Sequence, residues 1–98
     1  MTKKTILNYL SSNKNLFRDK YYIESLALFG SYAKDKMNKN SDIDILYKLK
    51  DGHKFTFDDF LNFENELERN LKRKIDLVNE KKLNPLIKLD IFKDIIYV

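Results

Sequence analysis

The sequence predicts an α/β (α+β) fold, a small mixed β-sheet flanked by helices. Two observations lead there. Apolar residues along the chain alternate between helical spacing and short, nearly continuous extended runs, and segments alternating in this way pack as helices on a sheet. A third observation bounds the size. Ninety-eight residues, 43% hydrophobic and 13% aromatic, with no internal repeat, low-complexity tract or linker, are expected to form one domain over residues 1–98.

Each element has its own signal. Ile6, Leu7 and Leu10 lie on one face of a helix over residues 5–12, and the polar stretch 13–20 reads as its end and a connection. Residues 22–29 are almost continuously apolar, as in a strand covered on both faces, and Gly30 ends it. Residues 31–36 suit a short helix and 37–41 a polar loop. Ile43 to Tyr47 reads as a second strand, followed by a turn over residues 50–53. The clearest helix starts at Thr56, with Asp59 completing a capping box and Phe55 placed to staple onto Phe60. Phe57, Phe60, Leu61, Phe63, Leu67 and Leu71 form its apolar stripe, as core or as core plus a partner-facing edge. Lys74 to Val78 is a third strand. Asn84 with Pro85 opens a helix to Phe92, and Ile95 to Val98 suits an edge strand.

Composition narrows the function classes. The absence of cysteine removes disulfides and thiolate zinc sites and fits a reducing compartment. The basic start is followed by no continuous apolar stretch, and no run approaches membrane-spanning length, so a cytoplasmic location without membrane contact is expected. The net charge of +4 fits a solvated, lysine-rich surface. No stretch has the dense basic and aromatic interleaving of a nucleic-acid face, so nucleic acid is not expected as a direct ligand.

Three aspartates stand where a purely structural design rarely puts them. Asp42 and Asp44 flank Ile43 at the start of a strand, and residues i and i+2 project to one face about 7 Å apart. Two such carboxylates repel each other unless a cation lies between them. Asp76 sits between Ile75 and Leu77 in another strand. If the two strands are neighbours, the three carboxylates converge on a site suited to magnesium, a hard cation that takes oxygen ligands. Gly30 and Ser31, where a strand turns into a helix, supply close backbone approach, a hydroxyl and amides for phosphate. Each piece alone has an ordinary reading as a turn or a solvated acid; their joint spacing carries the inference.

Gly30, Ser31, Tyr32, Ala33, Lys34 and Asp35, then five residues, then Ser41, Asp42, Ile43 and Asp44 resemble the signature of the DNA polymerase beta nucleotidyltransferase superfamily. Its pattern is Gly-Ser, a variable residue, Ala, Arg, Gly, five residues and Ser-Asp-x-Asp, followed by a third carboxylate in an apolar strand, which Asp76 matches. Two positions depart from it. Lys34 stands for the Arg, keeping charge but not the bidentate fork, and Asp35 stands for the Gly. The short chain and its ending resemble the minimal nucleotidyltransferases, commonly the antitoxin half of a pair with an HEPN-domain ribonuclease toxin.

The resemblance implies the nucleotidyltransferase fold and a magnesium-dependent transfer from ATP using two ions. Asp42, Asp44 and Asp76 become the catalytic and metal-holding residues, and Gly30, Ser31, Lys34 and Ser41 the nucleotide-binding ones. It implies adenylylation of a toxin tyrosine, with the HEPN toxin as partner in a hetero-oligomer. Two alternatives stay open: a nucleotide-binding antitoxin that acts by occlusion alone, and a small-molecule or RNA nucleotidyltransferase, for which the chain offers no substrate domain. Outside the motif, His53 reads as an exposed loop residue, Tyr32 as pocket lining or helix packing, and Arg69, Lys72, Arg73 and Lys74 as charges serving a helix end, with a toxin or RNA contact as the lesser alternative.

Overall fold

Side chains alternate between the two sides of the strands, and that alternation divides the sheet into a packed face and a face that carries the aspartates. The computed structural model describes residues Met1–Val98. Its helices are α1 (Lys3–Ser12), α2 (Lys14–Tyr21), α3 (Gly30–Ala33), α4 (Phe57–Leu71) and α5 (Pro85–Ile91). Its strands are β1 (Ile23–Phe29), β2 (Ile43–Leu49), β3 (Ile75–Asn79) and β4 (Ile96–Tyr97), with a 3₁₀ turn over Glu80–Lys82. The sheet order is β3-β2-β1-β4. β1 is antiparallel to β2 and β4, whereas β2 and β3 run parallel, so the sheet is mixed. Parallel neighbours need a crossover, and α4 supplies it. No helix is long and apolar enough to cross a membrane.

On the packed face, Leu26 and Leu28 of β1, Ile43, Ile45 and Tyr47 of β2 and Leu77 of β3 join one cluster with Ile6, Leu10, Phe17, Phe63 and Leu67 of the helices. Its centre is aromatic. Phe17 meets Phe63 edge-on at 5.1 Å between ring centroids, and Tyr21 lies 4.9 Å from Phe63, geometries that aromatic quadrupoles favour. On the other face, Ala27 and Leu46 are buried yet stand outside that cluster. Tyr97 pairs with Ala27 in register, and its hydroxyl donates to Glu80 just beyond β3. Its side chain therefore bridges the two edges of the sheet over these small and apolar residues.

The caps follow their sequence signals. Thr56 and Asp59 exchange both bonds of the capping box, at 3.0 and 3.1 Å, and Asn84 accepts from the Leu86 amide ahead of which Pro85 opens α5. One expectation needs correction. Residues 13–20, read as a helix end and connection, mostly form a second helix, because Phe17 and Tyr21 both reach the core. Phe57, read as part of the α4 stripe, is 75% exposed. Burial grows along that stripe from Phe57 through half-buried Phe60 to fully buried Phe63, so the first turn of α4 overhangs the core.

One charge is buried. Glu66 accepts from Lys20 Nζ at 2.8 Å and from Tyr21 Oη at 2.7 Å. Burial pushes its carboxyl up, but the bonds from Lys20 and Tyr21 outweigh burial and leave it lowered. A lowered carboxyl stabilises the fold above its unfolded range and loses that contribution as pH falls through the folded value. Glu66→Gln is expected to cost about 1–3 kcal/mol at neutral pH. Urea unfolding of both proteins should show the gap closing in acid, where wild-type Glu66 is protonated as well.

Candidate active site

The start of β2 is fixed by its neighbour. The Ile43 amide donates to the Lys74 carbonyl at 2.9 Å, and the parallel ladder then sets Asp44 directly opposite Asp76. Both point away from the packed face, to which Ile43 and Ile45 turn. Asp44 is half-buried and Asp76 exposed, while Asp42 sits half-buried just ahead of the strand. Burial pushes the Asp44 carboxyl up, and Asp76 and then Asp42 add to it, to about 6. The crowding read from the sequence thus falls on Asp44.

Gly30 is what lets Asp44 sit there. β1 ends with Phe29 opposite Asp44, and Gly30 follows with φ +74°. A Cβ at Gly30 would lie 2.8 Å from Asp44 Cγ and collide with Oδ2. The glycine therefore meets two demands, a left-handed backbone and room for a carboxylate, whereas the sequence reading gave its space to a ligand. Ser31 is half-buried at the start of α3, and Tyr32 is buried in the core, which settles it as helix packing.

The loop residues divide between the site and its support. The Ser41 hydroxyl accepts from the Asn38 amide at 2.9 Å and so closes the loop that delivers Asp42. Lys34 is exposed and lies 3.9 Å from Asp94. Asp35 adopts φ +58°, a conformation favourable to glycine that aspartate tolerates. Lys3 Nζ bonds its carboxylate at 2.8 Å, offsetting the extra negative charge. His53 is exposed in its loop and stacks on Tyr22 at 4.0 Å.

Two acids of α4 escaped the sequence reading. Glu68 accepts the Ile75 amide at 3.1 Å, one residue before Asp76, and ties the crossover helix to the start of β3. Burial, Glu68 and Asp76 together push the Glu64 carboxyl up, against Lys74. Their i, i+4 spacing toward the end of α4 was the available signal, but it passes for an ordinary solvated face.

The donors are hard oxygens gathered without a balancing cation, a set that suits a divalent metal. No three acidic or imidazole side chains are closely enough set to enclose one unaided. Magnesium commonly takes only one or two carboxylates, with substrate phosphate oxygens completing its shell.

Comparison with known proteins gives concordant matches. A sequence model described as polymerase beta, nucleotidyltransferase matches residues 6–98. A Methanocaldococcus jannaschii protein, provisionally named a protein adenylyltransferase, is 38% identical over 99% of this chain and 98% of its own. A solved structure provisionally described as a minimal nucleotidyltransferase superposes with TM-score 0.79 at 24% identity, over 98% of this chain and 95% of that one. A complex of a tri-AMPylated Shewanella oneidensis HEPN toxin with an MNT antitoxin superposes with TM-score 0.67 at 18% identity, over 98% and 71% of the two chains. At these identities the two structures establish a shared fold.

Two outcomes are expected of the site. With chelator present, Asp44 has a raised carboxyl, so its contribution to stability is present at low pH and is lost as pH rises through about 6. Thermal melts in EDTA should therefore show Asp44→Asn more stable than wild type above that pH and no more stable well below it. Gly30→Ala should lower stability by about 1–2 kcal/mol from its left-handed backbone alone. Because the new methyl displaces the Asp44 carboxylate, the pH-dependent gain from Asp44→Asn should also shrink when it is combined with Gly30→Ala.

Proposed function

The chain belongs to the polymerase beta nucleotidyltransferase family, and from that premise we propose that it transfers AMP from ATP onto a tyrosine of an HEPN-domain toxin, acting in the cytoplasm as the antitoxin of the pair. The observation that carries the reading is the register placing Asp44 against Asp76 at the end of β1, where Gly30 gives Asp44 room. Support for the acceptor comes from relatives: one is provisionally named a protein adenylyltransferase, and a structural neighbour is a complex with an AMPylated HEPN toxin.

In this reading the acceptor hydroxyl oxygen attacks the α-phosphorus of ATP. The bond from that phosphorus to the bridging oxygen breaks, and pyrophosphate leaves. Asp76, exposed at the edge of the pair, takes the proton of the hydroxyl. Ser31 and the amides after Gly30 orient the triphosphate, and Lys34 adds positive charge beside it, while Ser41 keeps Asp42 in place through its loop. Asp42, Asp44 and Asp76 would hold two magnesium ions, which would neutralise charge on the triphosphate and on the departing pyrophosphate. The geometry of three acids on one edge supports turnover over occlusion alone, since carboxylates crowded without a task destabilise the fold.

Incubation with the cognate toxin, ATP and magnesium should add AMP mass to the toxin. Asp76→Ala should slow that addition by about a hundredfold or more, the usual scale for losing a proton acceptor. Size-exclusion chromatography should still show the complex. Full neutralisation by Asp76→Ala, with no mass added by wild type, would mean that the protein works by occlusion.

A further inference from the structure

The opposite end of the sheet holds a concave surface that the proposed transfer does not use. A cavity of about 390 Å³ opens between the loop after β2 and the turn after β3, with Tyr47, Lys54, Phe55, Asn79, Lys81 and Lys82 among its walls. That volume is within the range of small-molecule sites, about 300–1,000 Å³. Tyr47 and Asn79 each lie three residues along their strands from Asp44 and Asp76, about 10 Å away, and on the opposite face. A ligand in this cavity cannot touch the carboxylates.

Its charge is one-sided. Three lysines line it and no acid does. Lys81 is drawn by Asp51 at 3.3 Å, from an exposed side chain outside the lining. Lys54 and Lys82 enter no ion pair. The other wall is aromatic: Phe55 is half-buried and stacks on Tyr47 at 5.2 Å and 26°. The loop bearing Lys54 is anchored by the stacking of His53 on Tyr22 and by Phe55, which packs against the core. Ammonium groups bind phosphate through charge-assisted hydrogen bonds, and a flat apolar ring packs on an aromatic wall.

We propose that this cavity is a second ligand site, separate from the carboxylates, for a planar ring that carries a phosphate, of the class of nucleoside monophosphates. Lys54 and Lys82 hold the phosphate and Phe55 faces the ring. The assignment stands whether or not the chain modifies a toxin, because it draws on no residue of the transfer site.

The test uses AMP as probe, titrated into isotope-labelled protein in EDTA and followed by amide chemical shifts. The expected result is saturable shifts concentrated in residues 52–55 and 79–82. Affinity should fall at least about tenfold in the Lys54→Ala, Lys82→Ala double variant, as charge-assisted bonds are lost. Adenosine and inorganic phosphate, each with half of the recognised features, should bind markedly more weakly than AMP. Both lysines are exposed, so the variant should keep the wild-type spectrum elsewhere. Shifts confined to residues 30–44 and 76, no saturable shifts, undiminished binding by the double variant, or phosphate binding as tightly as AMP would each overturn the proposal.

Discussion

The parallel pairing of β2 with β3 is the constraint on which the rest depends. Strands only five and seven residues long carry one register, and that register decides which side chains meet. It is fixed at its start by the Ile43 amide on the Lys74 carbonyl and by Glu68 on the Ile75 amide. A slip of one residue would turn Asp44 into the core and Ile43 and Ile45 out of it. Burial of the isoleucines therefore enforces the placement of the aspartates: the hydrophobic core holds the site in register.

Close packing on the other side of Asp44 completes the arrangement. The end of β1 brings a glycine without a side chain to the one carboxylate that lies between neighbours on both sides. Burial, and then Asp76 and Asp42 beside it, push the Asp44 carboxyl up, to about 6. The fold tolerates this because the adverse charge is confined to an edge where solvent reaches Asp76, and where a cation and phosphate oxygens would relieve it. The buried Glu66 is the contrasting case. Its charge is satisfied internally by Lys20 and Tyr21, and it serves packing between α2 and α4.

The two faces of the sheet thus have different tasks. The helical face buries the aromatic cluster, while on the other the Tyr97 hydroxyl reaches Glu80. β4 contributes only Ile96 and Tyr97 to the ladder, yet the same segment sets Asp94 near Lys34. The segment ahead of β4 therefore lies beside the α3 loop. The apolar residues of α5 remain in solvent, with Leu86 75% and Leu89 67% exposed.

The sequence by itself determined the elements and the residue types available for chemistry. Capping at Thr56 and Asn84, the apolar runs of the strands and the Gly30 to Asp44 spacing are local features. Local periodicity and hydrogen bonding are governed by neighbours along the chain, so these could be read there. The second helix was hidden because its polar surface dominates eight residues in which only Phe17 and Tyr21 reach the core. What only the tertiary structure decided were relations between distant segments: Asp44 opposite Asp76, Gly30 against the Asp44 carboxylate, Lys3 on Asp35, Glu68 on the start of β3. None has a local signature, because each arises when long-range strand pairing and core burial bring together groups whose separation along the chain carries no information about their separation in space.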